Sequence, residues 1–191
     1  MNNLKIILLG SLIFTVLACG SSDTKEVVHH SITGKKDIEW IKMVGVDKNE
    51  NNNLKKTTIT AWDNAGASSK NILPEAKNGW VEMTVDETNT HRILGLSEKD
   101  INANYPSIQY GIYLTASSGI LVYEKGSSKG SFGEYSKGDR LKVQRIEGKI
   151  QYLKNDSLLY TSAIVTSAPL TIDVAMNSIG STIKDVKSSF K

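Results

Sequence analysis

The chain has 191 residues, with 23 Lys and Arg against 20 Asp and Glu and a net charge of +3. The two signs are interspersed rather than clustered, which excludes a surface built for nucleic acid. The length suits one domain, and a domain of roughly 150 residues buries about 68–70% of its unfolded surface, so its core needs no disulfide staples.

Residues 1–18 hold one charge, Lys5, followed by the apolar run Ile6-Ile7-Leu8-Leu9-Gly10-Ser11-Leu12-Ile13-Phe14-Thr15-Val16-Leu17. That run is shorter than the about 20 apolar residues of a membrane-spanning helix. A short positive segment, a short apolar core and the small Ala18 describe a signal peptide. Val16-Leu17-Ala18-Cys19 resembles a lipobox, the site at which bacterial lipoproteins are cut and acylated; Leu17 is bulkier than the usual residue at its place. The resemblance implies that the Cys19 thiol carries a diacylglycerol thioether and that the membrane is reached through this lipid anchor. Cys19 is the only cysteine, so it has no intramolecular disulfide partner. Gly20, where an Asp would favour retention in the inner membrane, implies the outer membrane. Removing Lys5 with the signal leaves 22 basic and 20 acidic side chains, a charge of +2.

Residues 19–36 are polar, small and charged, with Ser21-Ser22-Asp23-Thr24-Lys25-Glu26 and the pair His29-His30. This composition reads as a flexible tether, with the histidine pair inert. Residues 37–191 read as one folded domain.

In that domain apolar residues recur with period two. Val81, Met83 and Val85 form one such set; Ile108, Tyr110, Ile112 and Leu114 the next; then Ile120 and Val122, Leu141, Val143 and Arg145, Ile150 and Tyr152, and finally Leu170, Ile172 and Val174. Each is the pattern of a half-buried strand. Turn chemistry separates them at Lys77-Asn78-Gly79, Ser117-Ser118-Gly119, Lys125-Gly126-Ser127, Ser136-Lys137-Gly138-Asp139, Glu147-Gly148-Lys149 and Asn155-Asp156. Ser97 to Asn102 is the one stretch that offers a helical turn. Ten to twelve short strands at hairpin spacing predict an all-β sandwich or barrel.

Two segments carry a resemblance. One is Gly79-Trp80-Val81-Glu82-Met83-Thr84-Val85-Asp86 with Leu94-Gly95-Leu96-Ser97. The other runs from Ile108-Gln109-Tyr110-Gly111-Ile112-Tyr113 through Tyr123-Glu124-Lys125-Gly126, Tyr135-Ser136-Lys137-Gly138-Asp139 and Tyr152-Leu153-Lys154-Asn155-Asp156 to Leu159-Tyr160-Thr161-Ser162. Together they resemble the concanavalin A-like, SPRY-like modules of secreted bacterial proteins, with Trp40 and Leu54-Lys55-Lys56 fitting the module's opening, over about residues 37–188. The resemblance implies an antiparallel two-sheet jelly-roll sandwich whose ligands lie on one sheet face or its rim. Asn155-Asp156 replaces the usual Asn-Gly, which predicts a different turn there.

The chemistry-bearing residues divide as follows. Gly126-Ser127-Ser128-Lys129-Gly130 matches G-x-S-x-G, but in a hairpin rather than a strand-to-helix elbow. Glu82 and Asp86 share a strand face at about 13 Å separation (~3.3 Å per residue), too far apart for the two carboxyls of a retaining glycosidase, which sit about 5–5.5 Å apart. Asp47-Lys48-Asn49-Glu50-Asn51 spaces oxygens as a calcium loop does, but lacks the Gly and Glu that complete one and reads as a surface loop. His91 has no second histidine at ligand spacing. No metal or cofactor is expected. Trp62, Tyr105 and Tyr113 are the candidate ligand-binding residues, since an aromatic ring stacks on a sugar face or anchors a protein contact. The expected function is a lipid-anchored, non-catalytic glycan- or protein-binding sandwich of the bacterial envelope. The alternatives are a structural or assembly component and a glycoside-hydrolase-like enzyme of the same fold.

Overall fold

The computed structural model describes residues 36–190. The signal peptide, Cys19 and residues 20–35, with His29 and His30, lie outside the described residues. Along the described chain the strands are β1 (Lys36–Asp37), β2 (Trp40–Val44), β3 (Val46–Lys48), β4 (Leu54–Lys56), β5 (Gly66–Leu73), β6 (Gly79–Thr84), β7 (Arg92–Ser97), β8 (Tyr110–Leu114), β9 (Gly119–Glu124), β10 (Ser127–Glu134), β11 (Arg140–Ile146), β12 (Lys149–Lys154), β13 (Ser157–Val165), β14 (Leu170–Met176) and β15 (Thr182–Ser188). Eight strands form one sheet in the order β13-β12-β11-β6-β15-β4-β3, with β1 added on β15. Seven form the other, in the order β10-β9-β8-β7-β14-β5-β2. Neighbours in both are antiparallel.

Period-two alternation explains the layering. Val81, Met83, Leu141, Val143, Ile150 and Tyr152 point inward from the eight-stranded sheet. Leu94, Leu96, Tyr110, Ile112, Leu114, Ile120, Val122, Leu170, Ile172 and Val174 meet them from the seven-stranded sheet. Burying each large apolar side chain contributes about 1.5–3 kcal/mol, which makes this shared layer the principal source of stability. Arg145 keeps the inward phase its pattern predicts. Its fully buried guanidinium donates to the carbonyls of Lys77 (2.9 Å), Pro74 (2.5 Å) and Ala168, tying two loops to the end of the core.

Four expectations change. The Asn155-Asp156 turn keeps the geometry of its glycine counterparts: φ is +49° and +67° there, against +49° and +77° at Lys125-Gly126 and +49° and +79° at Glu147-Gly148. Asp tolerates the left-handed region better than most residues, and Asp156 is held there by Lys142 and Arg140. Residues 98–102 form no helical turn; the 3-10 turn lies at Tyr105–Ser107. Ile108 does not share the inward phase of Tyr110, because it precedes β8 and packs on the sheet's outer side with Ile93 and Ala175. The described residues hold fifteen strands rather than ten to twelve. The surplus includes β5 and β10, which lack a regular apolar period.

Candidate functional site

The outer face of the seven-stranded sheet is set by the residues that alternate away from the core. These are Ile93 and Gly95 on β7, Gly111 and Tyr113 on β8, Leu121 and Tyr123 on β9, and Asp173 and Ala175 on β14. In register, Tyr113 lies between Ile93 and Leu121, Tyr123 opposite Gly111, and Gly111 beside Gly95. The paired glycines leave a shallow lane, and residues 98–109 lie in it. A Cβ on Gly95 would stand 2.7 Å from the Ile108 side chain, and one on Gly66 3.2 Å from the Ala103 methyl. This segment delivers Tyr105 beside Tyr113 and Tyr123.

Trp62 arrives from the other side, in the loop between β4 and β5. Lys56, 1% exposed at the end of β4, donates to the carbonyls of Ala61 (2.7 Å) and Met176 (2.9 Å) and to the Asn64 side chain. Three carbonyl acceptors match the three donors of an ammonium, so the buried lysine staples the Trp62 loop to β14; burial holds its pKa below the usual lysine value. With the Asn177 amide oxygen turned inward, that oxygen accepts from Trp62 Nε1 (3.3 Å) and the Trp62 backbone N–H (3.2 Å).

Sequence reasoning singled out Trp62, Tyr105 and Tyr113 separately, and the structure brings all three together. Ring centroids are 4.8 Å apart for Trp62 and Tyr105, 5.6 Å for Trp62 and Tyr113, and 5.8 Å for Tyr105 and Tyr113. Two residues not singled out as binding complete the group. Tyr123 lies 5.3 Å from Tyr113 and 5.4 Å from Tyr105, and His91 accepts or donates at Nδ1 to the Tyr113 hydroxyl at 3.1 Å. A signal for Tyr123 was present. It falls on the outward phase of its strand, as Tyr113 does, and the hairpin joining those strands sets them diagonally adjacent. His91 carries no such signal, since its place depends on the Asn177 and Ser178 backbone and side-chain bonds that hold it.

All five side chains are half-buried. Their planes are tilted or edge-on rather than coplanar, so the rings pack against one another and each leaves part of its surface exposed. Burial first, then the neighbouring Tyr123 and Tyr105, push the Tyr113 phenol up to about 12. It therefore stays a neutral hydroxyl at physiological pH. The cluster offers apolar ring surface with hydroxyl, imidazole and indole groups at its margin, a set suited to stacking and hydrogen bonding. Beside Tyr105, the buried Asn104 Oδ1 has no hydrogen-bond partner among the described residues.

The acids are arranged otherwise. Glu82 faces outward from the eight-stranded sheet and pairs with Lys142 (3.2 Å) and Arg140 (3.6 Å). Asp86 pairs with Lys137 (3.2 Å) and Lys184 (3.3 Å), whose hydrogen bonds hold its carboxyl below the usual carboxylate range. A proton donor needs the opposite shift. Asp173 is raised to about 7, chiefly by burial, but it is 1% exposed in the layer that residues 98–109 cover. Ser127 and Ser128 sit exposed at the start of the edge strand β10, in a hairpin. Asn49 and Asn53 use their side-chain oxygens to accept backbone N–H groups at 3.0 and 2.8 Å.

No protein-family model matches the chain, and no curated protein matches it in sequence. Solved structures do. The chain is similar to a human SPRY domain at 11% identity and a TM-score of 0.56, over 80% of this chain and 96% of that one. It is similar to the carbohydrate recognition domain of Emp46p in metal-free form at 11% and 0.54, over 78% and 87%. It is also similar to the exoplasmic/lumenal domain of VIP36, in Ca2+/Man3GlcNAc-bound form, at 12% and 0.54, over 78% and 82%. Identities of this size speak to fold: residues 36–190 form a concanavalin A-like, SPRY-type antiparallel sandwich.

Proposed function

We propose that this domain is a non-catalytic binding module of the bacterial cell envelope. It is held at the membrane by lipid on Cys19, and it takes a glycan at the aromatic cluster of the seven-stranded sheet. The observation that carries the reading is the convergence of Trp62, Tyr105, Tyr113 and Tyr123 from separate segments on to one outer face, half-exposed and fringed by His91. Rings with one apolar surface and one polar tip suit a ligand that is itself apolar on its ring faces and hydroxylated at its edges. The carbohydrate recognition domain of Emp46p and the Man3GlcNAc-bound domain of VIP36 support a sandwich of this shape as a glycan holder.

Isothermal titration against a panel of glycans tests it, with Trp62→Ala and Tyr123→Ala alongside the unaltered protein. A central aromatic anchor is worth about 2 kcal/mol or more, so each substitution should weaken the responsive glycan by more than tenfold while the circular dichroism spectrum is kept. Equal affinity in both variants removes the cluster as the site. A panel without any binder removes the glycan.

A further inference from the structure

Residues 98–109 leave the end of β7, cross the outer face of the seven-stranded sheet and return to β8, and their two ends are pinned together. The Glu98 N–H donates to the Gln109 side-chain oxygen at 2.7 Å, and the Gln109 N–H donates to the Ser97 hydroxyl at 3.2 Å. Between those ends the hydrogen bonds are internal, as in the Tyr105–Ser107 turn, with one exception among the described residues. Lys42 of β2 places its ammonium 3.4 Å from the Asp100 carbonyl oxygen and 3.5 Å from the Asp100 carboxylate. Otherwise the segment is held by packing: Ala103 over Gly66, Ile108 over Gly95, and Tyr105 against Trp62, Tyr113 and Tyr123. A loop joined at its base and lightly tied along its length can open as a unit without unfolding the sandwich.

Beneath it lies Asp173, 1% exposed, with one carboxyl oxygen that finds no partner among the described residues. Its neighbours on the sheet are uncharged: Gly95 on β7 and Ser68 on β5 face it, and the Ser97 hydroxyl lies beside it. The charges that reach it are Asp100 from the segment above and Lys42 from β2. Glu98 and Lys99, of opposite sign, line the hollow at the segment's edge. Lys42 is already paired with Asp100. A charge on Asp173 would therefore be desolvated, set under a like charge and left without a counterion of its own.

We propose that residues 98–109 are a proton-controlled flap, closed while Asp173 is protonated and opening when Asp173 ionises, which withdraws Tyr105 from Trp62, Tyr113 and Tyr123. Opening admits water to the carboxylate and separates it from Asp100. The flap stands on its own geometry; the regulation of glycan binding that follows from it rests on the reading of the cluster as the glycan site. With the flap closed, burial first and then Asp100 raise the Asp173 carboxyl from 3.8 to about 7. Released into water, the carboxyl returns to its ordinary value. The opening equilibrium thus grows about tenfold per pH unit between about pH 4 and 7, then levels off, up to about a thousandfold in all. Acid closes the flap and alkali loosens it.

Hydrogen–deuterium exchange on the full chain carrying Cys19→Ser, corrected for the intrinsic pH dependence of amide exchange, tests this without any ligand. Protection of the Ile108 and Gln109 amides should fall about tenfold per pH unit between about pH 4 and 7 and level off above. At every pH these amides should be less protected than those of β11 and β12 and insensitive to low urea, the mark of a local opening. Near-ultraviolet circular dichroism, which reads the packing of the cluster, should weaken over the same range. Asp173→Asn, which keeps the shape without the charge, should abolish both changes; Asp100→Asn should shrink them. A wild-type profile without slope overturns the inference. So does a slope that persists in Asp173→Asn, protection equal to that of β11 and β12, or an aromatic signal that stays constant. Should Asp173→Asn fail to fold, Asp100→Asn decides, and a span unchanged from wild type overturns the inference. A responsive glycan bound equally at about pH 5 and about pH 8, while the flap loses protection, removes the flap's control of the site; a panel with no binder removes only the glycan and leaves the exchange result standing.

Discussion

Asp173 projects from β14 on to the outer face of the seven-stranded sheet, with Gly95 facing it on one side and Ser68 on the other. Its Oδ2 finds no hydrogen-bond partner among the described residues. Burial is the largest cause of its rise from 3.8 to about 7; Asp100 pushes the same way, and the Ser97 hydroxyl, the Val174 N–H and Lys42 oppose. A carboxyl whose folded pKa exceeds its unfolded one stabilises the fold fully below about pH 4, and that contribution is lost as pH rises through about 7. Three pKa units correspond to about 4 kcal/mol. Urea midpoints of the wild type should therefore fall between pH 4 and 8 relative to those of Asp173→Asn, which keeps the shape without the charge. Parallel curves for the two proteins would show that Asp173 is not the titrating group. The sequence showed Asp173 correctly on the outward phase of its strand. Its burial was not legible, because the cover comes from residues 98–109, far back in the chain. The same holds for the cluster: stacking residues are recognisable by type and phase, as Trp62, Tyr105 and Tyr113 were, but their meeting is a tertiary fact.

Strands with apolar alternation, such as β8, β11 and β14, were legible because one buried face imposes a period of two. β5 was not. Its inward residues include Ala67, Ser69 and Asn71, and it is held by side-chain bonds such as Ser69 Oγ to the Asn71 carbonyl at 2.7 Å and from the Ile172 N–H at 3.0 Å. Polar inward positions of this kind erase the alternation. The segment 98–109 had no period to show either, since the lane beneath it does the shaping. That lane makes a prediction at this scale. A Cβ at Gly95 would meet Gly111 Cα at 2.8 Å and the Tyr110 carbonyl oxygen closer still. Both are backbone of the neighbouring strand and cannot rotate aside, so Gly95→Ala should destabilise by about 2–3 kcal/mol, the upper range for overpacking. It should also lift the segment that carries Tyr105, which near-ultraviolet circular dichroism reads as loss of aromatic signal. Gly119→Ala is the comparison. Its nearest neighbour is the movable Thr115 side chain, at 3.0 Å, so it should melt close to wild type. If both variants melt alike, the lane does not constrain the segment.

At the scale of the molecule, the fold class followed from the count and spacing of strands, whereas their order did not. β15, the last strand, is inserted between β6 and β4, and β1 pairs with it, Lys36 against Ser188. No periodicity announces such a closure between chain ends. The chain enters the described domain in the eight-stranded layer, while the aromatic cluster lies on the outer face of the other layer. The seventeen residues from Cys19 to residue 35 span at most about 60 Å at 3.3–3.6 Å each. One acyl chain holds a protein only marginally and two or more hold it stably, at about 0.8 kcal/mol per buried CH2, so a diacylated Cys19 should resist extraction. Labelled palmitate should enter the wild-type protein and not Cys19→Ser. Should the label be absent from the wild type, or enter both proteins alike, the anchor fails.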